Sequence, residues 1–208
     1  MKPAPTCPRC SRAVIPPGPW SSSWRCDLHG EVHPLRADYS PSAGGLRGLL
    51  QDARVPVWLP WPLPAGWLVT GFAGAGGERS GKRACAVALS GPSPVGGPGE
   101  MLLISEELGV GLGAWFSGLP GPDPGEAFAS GPPHALVRFG HHEFPLWHAD
   151  GPDRAAFAGE VLGNWLWVVL WPASAGVLLV ESLSLLDLRD PGHDLELPFG
   201  ARSPRLPG

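Results

Sequence analysis

Cys7 and Cys10 stand in the run CPRC, and after fifteen intervening residues Cys26 and His29 stand in CDLH. The pattern C-x2-C-x15-C-x2-H has the spacing of a zinc site. A tight C-x-x-C or C-x-x-H turn points two ligand atoms at one place, and its backbone N–H groups can hydrogen-bond the thiolates. Two such turns brought together close a tetrahedral Cys3His cage. The spacing therefore predicts one structural Zn2+ held by Cys7, Cys10, Cys26 and His29. His33 is the alternative fourth ligand. His29 is favoured, because Gly30 follows it and relaxes a tight turn, whereas His33 needs a longer reach across Glu31 and Val32. A cage closed by four protein ligands has no open coordination position, which points to a structural rather than a catalytic metal.

The ligands need a frame. SRAVIPPGPWSSSWR, residues 11–25, predicts a strand, a Pro/Gly turn and a second strand, with Trp20 and Trp24 sharing a face. Residues 1–36 then form a zinc ribbon. A piece this short cannot bury enough surface to fold unaided. A structural zinc contributes on the order of 10–16 kcal/mol in small peptides, enough to offset the deficit.

Over the whole chain, 57 of the 208 residues are Gly or Pro, so short elements and many turns are expected. Residues 37–54 read as a linker and a short helix capped by Ser42. Residues 55–208 read as an α+β domain with a Trp/Pro-rich leading segment, VPVWLPWPLPAGW. Its prolines forbid helix and disfavour a central strand, predicting an extended strap whose tryptophans pack on the core. GWLVTGFAG with KRACAVALSG, EMLLISEEL, a hairpin turning near Gly140–His142 and another at Gly163–Asn164 supply antiparallel strands. ASAGVLLVESLSLLDLRD is the best helix candidate, with Glu181 and Asp187 facing water. DLELPF is a last short strand. The expected fold class is α+β: a small N-terminal zinc ribbon followed by a mainly antiparallel β-sheet covered by one or two helices.

Two further motifs nearly form sites. GGERSGKR matches a phosphate-binding loop at Gly76, Gly81 and Lys82, but Arg83 stands where a Ser or Thr must bind magnesium, and the strand-like ACAVALS follows where a helix is required. It reads as a hairpin loop. Cys85 within it reads as a small core residue. His134, His141, Glu143 and His148 are the candidates for an enzyme site assembled in the C-terminal domain. On a strand, however, His141 and His142 point to opposite faces.

Charge divides along the chain. Residues 1–36 carry Lys2, Arg9, Arg12, Arg25 and Arg36 against Asp27 and Glu31, a net +3; with −4 in all, the remainder carries −7. An extended basic surface is absent, so a protein partner is favoured over nucleic acid, which only the ribbon could attract. The longest apolar run, WLWVVLW, is too short for a bilayer, and no secretory segment opens the sequence, so no membrane association and a cytoplasmic location are expected. Reduced cysteines there favour metal ligation over disulfides.

CPRC, WRCDLHGEVHPL, VPVWLPWPLPAGW, EELGVGLGA, GNWLWVVLWP and LLDLRD together resemble an uncharacterised family of actinobacterial proteins with an N-terminal zinc-ribbon-like motif. The resemblance runs over nearly the whole chain and implies the same layout, with Cys7, Cys10, Cys26 and His29 among the matching residues. It implies no activity. The expected function is that of a non-enzymatic binding or regulatory protein, with the histidine-centred enzyme as the alternative.

Overall fold

Short apolar runs set between glycine-containing turns produce long strands in the middle of the sequence. The computed structural model describes residues 4–19, 21–77, 79–125, 128–149, 151, 153–190 and 195–206. Trp24–Cys26 (β1) and Gly30–Val32 (β2) pair antiparallel as a small separate sheet. Bridges Thr6–Ala13 and Ile15–Arg25 complete the ribbon, with a tight turn between Gly18 and Ser21. Then follow β3 (Leu35–Tyr39), α1 (Ala43–Leu50), β4 (Trp58–Pro60), β5 (Leu68–Gly77), β6 (Gly81–Pro92), β7 (Pro98–Glu106) and α2 (Leu112–Ser117). The chain continues through β8 (Ala135–Phe139), β9 (His142–Ala149), β10 (Ala155–Val161), β11 (Asn164–Trp171), a 3-10 helix (Ala173–Leu179) and β12 (Leu183–Asp187).

Ten strands form one sheet in the order β3-β5-β6-β7-β11-β10-β9-β8-β12-β4, antiparallel throughout except for the β8–β12 pair. The molecule is thus mainly β, with few helices. One cross-strand row runs Val87–Leu103–Val168–Phe157, and its neighbour on the opposite face runs Ala86–Ile104–Trp167–Ala158. Successive side chains alternate faces, so these rows build two cores. The first gathers Val87, Leu89, Met101, Leu103, Val168 and Leu170 beneath the strap, with Trp58 and Trp67 buried among them. The second gathers small alanines around Trp167 and is covered by α2. A sheet buried on both faces reads as continuous apolar sequence, as WLWVVLW does.

Several expectations hold. Ser42 caps α1, its hydroxyl accepting the N–H of Gly45 at 3.1 Å. The strap lays Trp58 and Trp67 on the core and leaves Trp61 partly exposed, and its strand β4 is the last of the sheet, as its prolines require. The hairpin β8–β9 turns at Gly140–His141, and β10–β11 at Leu162–Gly163. Trp20, expected to share a face with Trp24, lies outside the described residues.

Others are corrected. The predicted long helix over 173–190 is one 3-10 segment followed by β12. Apolar residues at helical spacing in that stretch satisfy a two-residue period equally well, and pairing with β8 and β4 decides between them. Asp187 accordingly faces inward rather than to water. Its carboxylate accepts the N–H of Val57 at 3.0 Å and is paired with the Arg189 guanidinium at 2.7 Å. Residues 37–39, expected as linker, belong to β3, whose Leu35 and Ala37 are buried while its backbone pairs with β5. The glycine-rich stretch GVGLGAWFSGL contains α2. DLELPF forms only a bridge, Phe199 to Val69; its first residue, Asp194, lies outside the described residues. Among the described residues no helix is long and apolar enough to cross a membrane.

Candidate metal centre

Cys7, Cys10, Cys26 and His29 converge, their ligand atoms all within 4.8 Å of one another. The Cys7 Sγ to His29 Nδ1 distance is 3.5 Å, Cys26 Sγ to His29 Nδ1 is 3.7 Å, and Cys10 Sγ to Cys26 Sγ is 3.7 Å. A tetrahedron with metal–sulfur bonds near 2.3 Å and metal–nitrogen bonds near 2.0 Å has S···S edges of about 3.8 Å and S···N edges of about 3.5 Å. These three edges match such a cage, and the remaining pairs stay within 4.8 Å, so the group could hold one metal ion. All three thiols are free, and 3.7 Å is far beyond disulfide length.

The local chain explains the convergence. Each turn places a left-handed residue directly after its second ligand: Ser11 (φ 55°) after Cys10 and Gly30 (φ 67°) after His29. That reversal lets the backbone leave the turn after both side chains have been aimed inward. Backbone N–H groups of Leu28 and His29 point at the Cys26 sulfur. Burial, the largest single influence, opposes its ionisation, but these donors together with the His29 and Cys10 side chains draw the thiol down to about 6. Burial raises the Cys7 thiol, with the N–H of Arg9 acting against it. His33 stands apart from the cage and lines a cleft. Burial lowers its pKa, and the guanidinium of Arg83 adds to the effect.

The ribbon docks on the large sheet. Thr6 and Leu35 exchange backbone hydrogen bonds at 3.0 and 2.7 Å, carrying β3 directly out of the ribbon. Arg9, the third residue of CPRC, donates from Nε to the carbonyl of Val110 at 3.1 Å and from Nη2 to that of Gly109. The loop is shaped for it: a Cβ on Gly111 (φ 87°) would come within 2.8 Å of the Arg9 side chain. Sequence reasoning counted Arg9 only as charge. Its place inside the C-x-x-C turn was the available signal, since a side chain between two converging cysteines projects outward from the turn.

The remaining candidates are not assembled. His134 and His148 are neighbours at one end of the β8–β9 hairpin, ring centroids 6.3 Å apart. His141 lies in the turn, and Glu143 pairs with Arg138 at 3.0 Å. Five residues separate Glu143 from His148, about 16 Å along a strand, and all four side chains are exposed. The expected alternative site does not converge. Lys82, matched to a phosphate-binding lysine, lies 92% buried with its ammonium 5.6 Å from the Tyr39 ring centroid. The stretch after it is β6, not a helix. Cys85 is buried in the first core, its thiol pushed by burial up to about 12, as a packing residue's would be.

One buried acid was missed. Glu106 is fully buried at the end of β7, its oxygens accepting the N–H groups of Leu112 at 2.7 Å and Gly113 at 3.0 Å. It supplies from another element the cap that α2 lacks. Burial pushes it up to about 8, with the two N–H groups opposing the rise.

No curated protein and no solved structure matches the chain. A family model matches residues 1–206, and the chain belongs to that family, the family of unknown function DUF6758.

Proposed function

We propose that the protein is a non-catalytic binding or regulatory protein built around one structural zinc ion, held by Cys7, Cys10, Cys26 and His29. The observation that carries this reading is the closed cage: four protein donors at tetrahedral spacing, leaving no coordination position for a substrate. Three thiolates and one imidazole select zinc over magnesium or calcium, which take oxygen donors. The zinc makes a ribbon too small to fold alone into a rigid body, and Arg9 fixes that body to the sheet. The ribbon and the β domain then present one recognition surface.

The partner is a protein, since the chain beyond the ribbon carries −7 and would repel a polyanion along most of its surface. Zinc thiolates need reduced cysteines, which fits the cytoplasm. The test is retention of a partner by tagged full-length protein, wild type beside Cys26→Ser, in native lysate. The reading expects a partner held in stoichiometric amount by the wild type and lost from the variant. A wild type that retains none, or a variant that retains it equally, would contradict the reading.

A further inference from the structure

Where the ribbon meets the sheet it leaves a cleft of about 1060 Å³. Four arginines from four separate segments line it: Arg9 from the first metal turn, Arg36 from β3, Arg79 from the β5–β6 turn and Arg83 from β6. Against them stand two carboxylates, Glu31 and Glu107. Glu107 is engaged by Arg83, and Arg9 is partly used by the loop carbonyls. Among the described residues, Arg36 has only the face of Trp24, its guanidinium carbon 5.9 Å from the ring centroid, and Nε of Arg83 is buried without a partner. Like charges in one concavity repel, and a protein of net −4 gains no stability from gathering them. Low-dielectric walls would, however, focus their field on an anion entering the cleft.

We infer that this cleft binds a small ligand bearing two or more phosphate groups. Guanidinium forks match phosphate oxygens bidentately, and arginines on separate elements can grip more than one group. A drug-sized or nucleotide-sized molecule fits such a volume, whereas a nucleic acid would have to leave the cleft across an acidic surface. The turn at Gly77–Gly81 contributes Arg79 and Ser80 to the wall without acting as a strand-to-helix phosphate loop. One wall is the ribbon itself, so the inference rests on the zinc-ordered ribbon proposed above.

The experiment is isothermal titration of the zinc-loaded full chain with pyrophosphate and with ADP, at low and physiological salt, beside the variant Arg36→Gln/Arg79→Gln. Neither residue touches the metal cage or the docking contacts of Arg9. Binding is expected for pyrophosphate, weaker as salt rises, and reduced roughly tenfold or more in the variant, since each lost charged hydrogen bond is worth about a factor of ten. ADP binding more tightly than pyrophosphate would support the inference and place a planar ring against Trp24. Three outcomes would overturn it: no binding of either probe, equal binding by the variant, or a single-stranded oligonucleotide binding more tightly than both. Zinc content measured on the same samples separates the two readings. A zinc-free chain removes the proposed function, whereas zinc-loaded chain that ignores pyrophosphate removes only this inference.

Discussion

Arg9 and Cys7 share one turn yet serve two different attachments. The thiol faces the cage, while the guanidinium reaches the carbonyls of Gly109 and Val110 on the far side of the seam. Metal binding and docking are therefore separable by mutation. Arg9→Ala is expected to keep its zinc and lose the docked position, because the cage ligands are untouched and the lost hydrogen bonds to a charged donor are worth about 1.5–3 kcal/mol each. Hydrogen exchange at Thr6 and Leu35, whose backbone bonds span the seam, reads the effect. Unchanged protection there would show that Arg9 is not the latch. The metal residues were legible in sequence because ligand spacing is a local constraint. Arg9's target was not, since Gly109 and Val110 lie a hundred residues away and only the fold brings them together.

At the scale of elements, β12 and the strap hold one another. Asp187 accepts the N–H of Val57 and is gripped by Arg189, which also donates to the carbonyl of Arg54. Asp187→Ala would leave a buried N–H and a guanidinium without their acceptor, and a loss of about 2–3 kcal/mol in chemical denaturation is expected. A variant within experimental error of wild type would place the strap's stability in Trp58 packing alone. The cap on α2 predicts a pH dependence. Folded Glu106 titrates near 8, above the ordinary 4.5, so the folded state holds that proton more tightly than the unfolded chain. Its contribution is full below about 4.5 and is lost as pH rises through 8. Denaturation midpoints should fall across that window, and Glu106→Gln, which cannot ionise, should flatten the decline; an equal slope in the variant would assign it to other groups. Strands β5 to β11 were legible because short apolar runs and Gly-centred turns are written locally. Segment 173–187 was misread as helix because its leucines satisfy two periods, and the choice belongs to β4 and β8, which no local pattern can name.

For the whole molecule, the ribbon is not a free appendage. Its last residues run into β3, which pairs with β5, so the N-terminal segment and the sheet form a continuous hydrogen-bonded path. Neither the linker read from residue 37 onward nor the charge split along the chain revealed this, since edge pairing depends on what lies beside the strand. On the function proposed above, the ribbon's order depends on the ion and the seam's geometry on the ribbon. The most direct test is zinc content per chain by elemental analysis in wild type, His29→Ala and His33→Ala. The account predicts about one zinc in the wild type and in His33→Ala, and substantial loss in His29→Ala. A natively folded wild type without zinc, or zinc lost on changing His33 and kept on changing His29, would contradict it.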